Sequence, residues 1–130
     1  MQVNNIIRVP VSSNKEFFKY WLMFIAPFHH LTNREMDVAV ALLERRYELG
    51  KVISDEDLLD KVALNEDSKQ KVRKELSMTS PHFQIIMGKL KKAKFILDGK
   101  INTKFIPKRL TDKDQAFQLL LYFDFSGSNR

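Results

Sequence analysis

His29 and His30 are the only adjacent imidazoles in the chain, and they are the first candidates for metal or proton chemistry. Neighbouring residues at a helix end do not share a face, and neither a cysteine nor a suitably spaced carboxylate accompanies them. The pattern argues against a metal site. Asp55, Glu56, Asp57 and Asp60 can be drawn as a cation site, but the same run at a helix N-terminus complements the helix dipole and faces water. Nothing marks a serine as sitting on a nucleophile elbow. Gly50, Gly88, Gly99 and Gly127 are the only glycines, so a phosphate-cradling loop of either common type is missing. With no cysteine, thiolate catalysis and disulfides drop out as well, which fits a reducing compartment. No catalytic residue and no cofactor is expected, and the protein is read as not an enzyme.

Anion binding is the chemistry with a real signal. The chain carries 22 basic and 16 acidic side chains, a formal charge of +6. From Lys89 to Arg109, eight basic residues (Lys89, Lys91, Lys92, Lys94, Lys100, Lys104, Lys108 and Arg109) face only Asp98, a local charge of +7 that leaves −1 for everything else. A concentrated patch suits a polyanion, because each neutralised phosphate releases condensed counterions. The plainer alternative is a lysine-rich face kept for solubility. Residues 41–68 lean acidic, so a basic side and an acidic side are expected.

These side chains need elements to hold them. A chain of 130 residues, 44% of them hydrophobic, suits one domain with its own core. No run of eighteen apolar residues exists, and the first fifteen residues lack the chemistry of a secretory signal, so a cytoplasmic protein with no membrane partner is expected. Ile6 to Val11 reads as an extended arm, with Pro10 suited to an edge. Ser13 and Glu16 form a capping box that opens an aromatic helix ending at Pro27. Thr32 and Glu35 form a second box, stapled by Leu31 and Met36, and Gly50 stands where the C′ residue belongs. Ser54 with Asp57 starts another helix, and Asn65 caps the next. After the break Ser77-Met78-Thr79, Ser80 is placed as N-cap with Pro81 at N1. Phe83, Ile86, Met87 and Leu90 then make one apolar stripe to about Lys94. Phe95-Ile96-Leu97-Asp98-Gly99-Lys100-Ile101 is a hairpin signal, since Asp-Gly supplies the positive φ of a type I′ turn. Phe117 to Phe125 reads as a final strand pairing with the N-terminal arm, and the tail from Ser126 as frayed.

Residues 66–94 thus have the form helix, short turn, helix, with a hairpin directly after. The stretch Asp67-Ser68-Lys69-Gln70-Lys71-Val72-Arg73-Lys74-Glu75-Leu76-Ser77-Met78-Thr79-Ser80-Pro81-His82-Phe83-Gln84 resembles the helix–turn–helix of winged-helix proteins, with residues 95–106 as the wing. Leu31-Thr32-Asn33-Arg34-Glu35 resembles the opening of the first helix in sigma-region-four-like regulators. The resemblance covers residues 31–106. The whole chain also resembles, without one diagnostic motif, small proteins encoded by tailed phages of gut bacteria.

The resemblance implies that helix 81–94 enters the DNA major groove. At 100° per residue, Ile85, Lys89 and Lys92 lie opposite the apolar stripe, flanked by His82 and Gly88. Lys89 and Lys92 suit phosphates, His82 and Gln84 suit base edges, and the wing residues Lys100 and Lys104 suit the adjacent backbone. Two features depart from a sequence-specific reader. The helix has no arginine, the commonest guanine contact, and apolar Ile85 sits at the centre of the proposed face.

A further signal is aromatic. Phe17, Phe18, Tyr20, Trp21, Phe24 and Phe28 crowd into twelve residues, more than one helix face can bury. This helix is either the central strut of the domain or a protein interface, with Phe17, Tyr20, Trp21, Phe24 and Phe28 as contacts. The expected fold is therefore α+β and mostly α: a winged helix–turn–helix within one domain, spanning 1–130. An N-terminal arm and aromatic helix (1–30) and a small sheet of the terminal strands (107–130 contributing one) extend it. The leading functional expectation is a non-enzymatic protein binding double-stranded DNA, in a host cytoplasm if phage-encoded. The rival is a structural or assembly component of a phage virion (neck, ring or portal-associated), with the same fold used for packing.

Overall fold

The computed structural model describes residues 6–108 and 116–127. Among these residues the protein is mostly helical, with a small antiparallel sheet of two strands. The helices are α1 (Asn14–Phe24), α2 (Ala26–His29), α3 (Asn33–Gly50), α4 (Glu56–Ala63), α5 (Glu66–Glu75) and α6 (Ser80–Lys92). Strands β1 (Ile96–Leu97) and β2 (Lys100–Ile101) follow, then a 3-10 turn at Thr103–Phe105.

α3 is the hub. It packs against α1, α4, α5 and α6, and Val38, Ala39, Val40, Ala41, Leu42 and Leu43 are consecutively buried because neighbours surround them. The central strut is this helix, not the aromatic α1, which covers one flank of it through Phe17, Phe18 and Leu22. The core continues through Val72, the α6 stripe, Phe95, Ile101 and Phe105.

The helix starts follow local hydrogen-bond chemistry. Ser13 accepts from the Glu16 N–H, but the Glu16 carboxylate takes the N–H of Ser12 at 2.9 Å, so the box is shifted by one residue. The Thr32–Glu35 box is complete. Two expected caps move by one position. Asp55, not Ser54, caps α4, and Thr79, not Ser80, caps α6, because their side-chain oxygens reach the N–H groups of Leu58 and His82. Gly50 lies inside the last turn of α3, and Lys51 ends that helix in the right-handed region. Pro27 sits in the first turn of the short α2, where its missing N–H is tolerated.

The terminal sheet is not formed among the described residues. Residues 6–11 and 118–125 are not assigned to strands, and the only sheet among the described residues is the hairpin, with Ile96 opposite Ile101 and Leu97 opposite Lys100. The physical reason is a lack of partner and of register. Leu119, Leu121 and Phe123 alternate with Leu120 and Tyr122, so both faces are apolar and no register is selected. Pro10 removes a donor from the other arm. The last segment instead touches down at Phe117, whose ring meets Phe17 at 5.1 Å and Trp21 at 5.8 Å edge to face. Of the expected frayed tail, residues 128–130 lie outside the described residues, as does Arg109 of the basic run.

Polar contacts fasten α4 and α5 to the hub. Arg46 meets Asp60 at 3.0 Å, and Arg45 donates to the Ser68 hydroxyl at 3.0 Å, which donates in turn to the Val62 carbonyl at 2.7 Å. The acidic residues of 41–68 are partly consumed in these contacts. Glu44 is different. Burial pushes its carboxyl up from the ordinary glutamate range, Glu75 and Glu48 push the same way, and Lys15 opposes them. A raised acid favours the folded state while protonated, and that advantage is lost as pH rises through the folded value. Glu44→Gln is therefore expected to unfold at higher denaturant than the parent at neutral pH. The two midpoints should converge below the usual glutamate range, and urea titrations at several pH values check this.

Candidate nucleic-acid interface

The turn between α5 and α6 is built without glycine. Leu76 ends α5, Ser77 takes a left-handed φ of 53°, the Ser77 N–H reaches the Lys74 carbonyl, and the Met78 N–H reaches that of Arg73. These are the paired bonds of a Schellman cap, and buried Met78 closes it. Arg73 adds a hydrogen bond from its guanidinium to the Met78 carbonyl at 3.0 Å. α6 ends in the same way. Lys94 has φ 63°, with Lys94 N–H to the Lys91 carbonyl and Phe95 N–H to that of Leu90, both 3.0 Å. Phe95 is thereby turned into the core, and the chain enters the hairpin, whose Asp98 and Gly99 both have positive φ, 55° and 77°, as a type I′ turn requires. Two rigid exits thus hold α6 and the hairpin in fixed relation.

On α6, Phe83, Ile86, Met87 and Leu90 are buried, while His82, Gln84, Ile85, Lys89 and Lys92 are exposed. Ile85 is 59% exposed and stands apart from the core. The five outward residues do not form one patch. Gln84 turns to the edge facing α5, where it shares a cleft with Glu66, Lys69 and Arg73. Lys89 and Lys92 turn to the opposite edge and share a cleft of about 440 Å³ with Phe28, His30 and Glu35.

The hairpin lysines also part company. Lys100 lies 4.0 Å from Asp60, so its charge is directed toward α4. Lys104 sits over the rings of Phe28 and Phe105, at 5.8 and 5.9 Å from their centroids. Phe28 therefore links Lys104 to the cleft that Lys89 and Lys92 line. Among the described residues none of Lys89, Lys91, Lys92, Lys94 and Lys104 is ion-paired with a carboxylate.

The aromatic set of the N-terminal helix divides in the same manner. Phe17 is buried in the core, so it is not available to a partner. Trp21 is half-buried and donates its indole N–H to the Phe105 carbonyl at 2.8 Å, tying α1 to the turn after the hairpin. Tyr20 is half-buried. Phe24 and Phe28 remain exposed, at 53% and 62%.

His29 is a structural pin. Its Nδ1 accepts the Leu31 N–H at 3.0 Å, so Nε2 carries the proton and donates to the Leu22 carbonyl at 2.7 Å. Both ring nitrogens are spent inside the protein, and the ring is buried against Phe105. His30, next in sequence, adopts the left-handed φ of 55° that ends α2 and faces outward. Among the described residues no three His, Asp or Glu side chains converge in a way that suits a metal ion, and no helix is long and apolar enough to cross a membrane.

Sequence reasoning placed Lys89, Lys92 and Lys104 near one another through the hairpin, but it did not place Phe28 and His30 beside them. Residues so distant in sequence carry no spacing signal, and only the packing of α1 and α2 against the hub brings them together. The chain matches no protein-family model, no curated protein and no solved structure.

Proposed function

We propose that this protein is a non-enzymatic DNA-binding protein of winged-helix type, with α6 against double-stranded DNA and the hairpin as a short wing. The observation that supports this best is the set of exposed lysines, none paired with a carboxylate among the described residues, that runs from Lys89 through Lys94 to Lys104. Surface cations that hold no carboxylate are free to replace the counterions of a phosphate backbone. Lys89 and Lys92 act as phosphate contacts, with Lys104 beside them. His82 and Ile85 are the groups proposed for base edges and thymine methyls, and Gln84, turned to the α5 edge, contributes less to this face. Lys100 contributes less, because Asp60 competes for its charge.

The expected result is a steep loss of duplex affinity with salt, with a log–log slope of about −0.9 per phosphate contact. Lys89→Ala combined with Lys92→Ala should flatten that slope by roughly two units. Fluorescence anisotropy of a labelled duplex across a salt series checks it, and a flat dependence in the parent removes the reading.

A second reading is favoured by a different observation. Leu120, Tyr122 and Phe123 are large apolar or aromatic side chains left mostly exposed close together in sequence, which suits an assembly protein better than a solitary regulator. Light scattering on the same samples separates the two: a large ring or shell that ignores DNA favours assembly, and a small particle that shifts duplex favours DNA binding.

A further inference from the structure

The cleft between α2 and the C-terminal half of α6 has a composition that duplex binding alone does not use. Phe28 is a fully apolar ring left 62% exposed at a cleft that two lysines also line. Lys89 and Lys92 line the same cleft from α6, His30 lines it from the end of α2, and the Lys104 ammonium lies 5.8 Å from the Phe28 centroid. The one carboxylate there, Glu35, is buried and accepts the Thr32 N–H at 3.2 Å in the capping box; that bond does not cancel its charge, but the two lysines outnumber it. The cleft on the other edge of α6 is different. Its lining acids Glu66 and Asp67 each pair with a neighbouring lysine, at 3.1 and 3.7 Å, so it offers a phosphate little net charge.

An exposed ring with one ammonium beside it and two more lysines lining the same cleft suits an unpaired nucleotide: the base stacks on the aromatic face, and the ammonium groups hold its phosphate. We infer that Phe28 is a stacking platform for an unpaired base, with Lys89, Lys92 and Lys104 binding the phosphates of that strand. The site takes a nucleotide of a single strand, as at a frayed end, a gap or an opened duplex. This rests on the nucleic-acid reading above and extends it to a second kind of substrate. It also shifts the contact surface from the centre of α6, at Ile85, to the edge that faces α2.

The test uses the full chain with labelled oligothymidine, oligouridine and a duplex of equal length, and with 2-aminopurine placed within an otherwise oligothymidine strand. The parent should bind at least one single strand and quench the 2-aminopurine emission. Phe28→Ala should weaken single-strand binding by about 5- to 150-fold, the range for loss of one base–aromatic stack, and abolish the quench. Its duplex affinity should stay within about 2-fold, since duplex bases are already stacked. Phe28→Trp should retain single-strand binding, and Lys89→Ala with Lys92→Ala should weaken both substrates. The exposure of Phe28 leaves little core to lose, and circular dichroism confirms that each variant is folded. A Phe28→Ala protein that binds single strands as the parent does, or loses duplex and single strand equally, overturns the platform. A parent that binds duplex with a steep salt slope but ignores single strands overturns it too, and leaves duplex binding standing. A parent that binds neither overturns both. The deoxy and ribo strands distinguish DNA from RNA as the source of the unpaired base.

Discussion

Leu90→Ala and Phe83→Ala are each expected to lower unfolding stability by about 2–5 kcal/mol, and Lys89→Ala by almost nothing. Both apolar side chains are essentially fully buried, on the face of α6 turned to α3 and β1. Removing them deletes apolar surface from the core and leaves a cavity that close-packed neighbours fill only in part. The Leu90 carbonyl that accepts the Phe95 N–H is backbone and survives in Leu90→Ala, so the expected loss is that of the Leu90 side-chain packing alone. Lys89 lies next to it in sequence but points to solvent, so its loss removes only an exposed charge. Urea titration of the three variants measures the contrast. Equal losses would mean that α6 is rotated about its axis from the orientation described, and with it every outward residue assigned to nucleic acid.

Arg46→Ala should cost about 3 kcal/mol, near the lower end for breaking a buried ion pair. Asp60 is only 8% exposed, and its principal partner is Arg46 at 3.0 Å. Lys100 at 4.0 Å and nearly half exposed compensates poorly. The cost therefore arises mainly from a carboxylate stranded in the interface between α3 and α4. Replacing both partners by apolar residues, Arg46→Met with Asp60→Leu, should restore much of the loss, because no charge is then left without a partner. Lys100→Ala should cost well under 1 kcal/mol. If the double variant is less stable than Arg46→Ala, the pair contributes through its own attraction and not through the penalty of leaving one member alone. The same variants bear on the interface. With Arg46 gone, Lys100 becomes the nearest cation to Asp60 and is drawn further from any DNA backbone.

The sequence by itself determined what is local. Helix starts were legible at Ser13, Thr32 and Asn65, because each needs only a side-chain oxygen within reach of an N–H two or three residues on. The caps at Asp55 and Thr79 were missed by one residue because Ser54 and Ser80 are equally good acceptors, and geometry chose between neighbours. The Asp98-Gly99 turn and the inward stripe of α6 were legible for the same reason: one follows from allowed φ values, the other from a helical period. The outward direction of Lys89, Lys92 and Ile85 follows from that stripe.

Only the tertiary structure decided what lies next to what. Phe117 to Phe125 has strand-forming residues, yet a strand exists only where another backbone pairs with it, and among the described residues this segment pairs with none, not even the open edges of the hairpin. Phe17 and Phe28 are chemically the same side chain on one short stretch. One is core and the other is surface, because α3 lies under the first and α6 only borders the second. Lys100 and Lys104 are near neighbours in sequence, but Asp60 draws one to α4 while the other sits over the Phe28 ring, which borders the cleft that Lys89 and Lys92 line. Periodicity tells a helix which face to bury; it cannot name the group that will stand opposite the face left outside, since that is set by contacts between residues far apart in the chain.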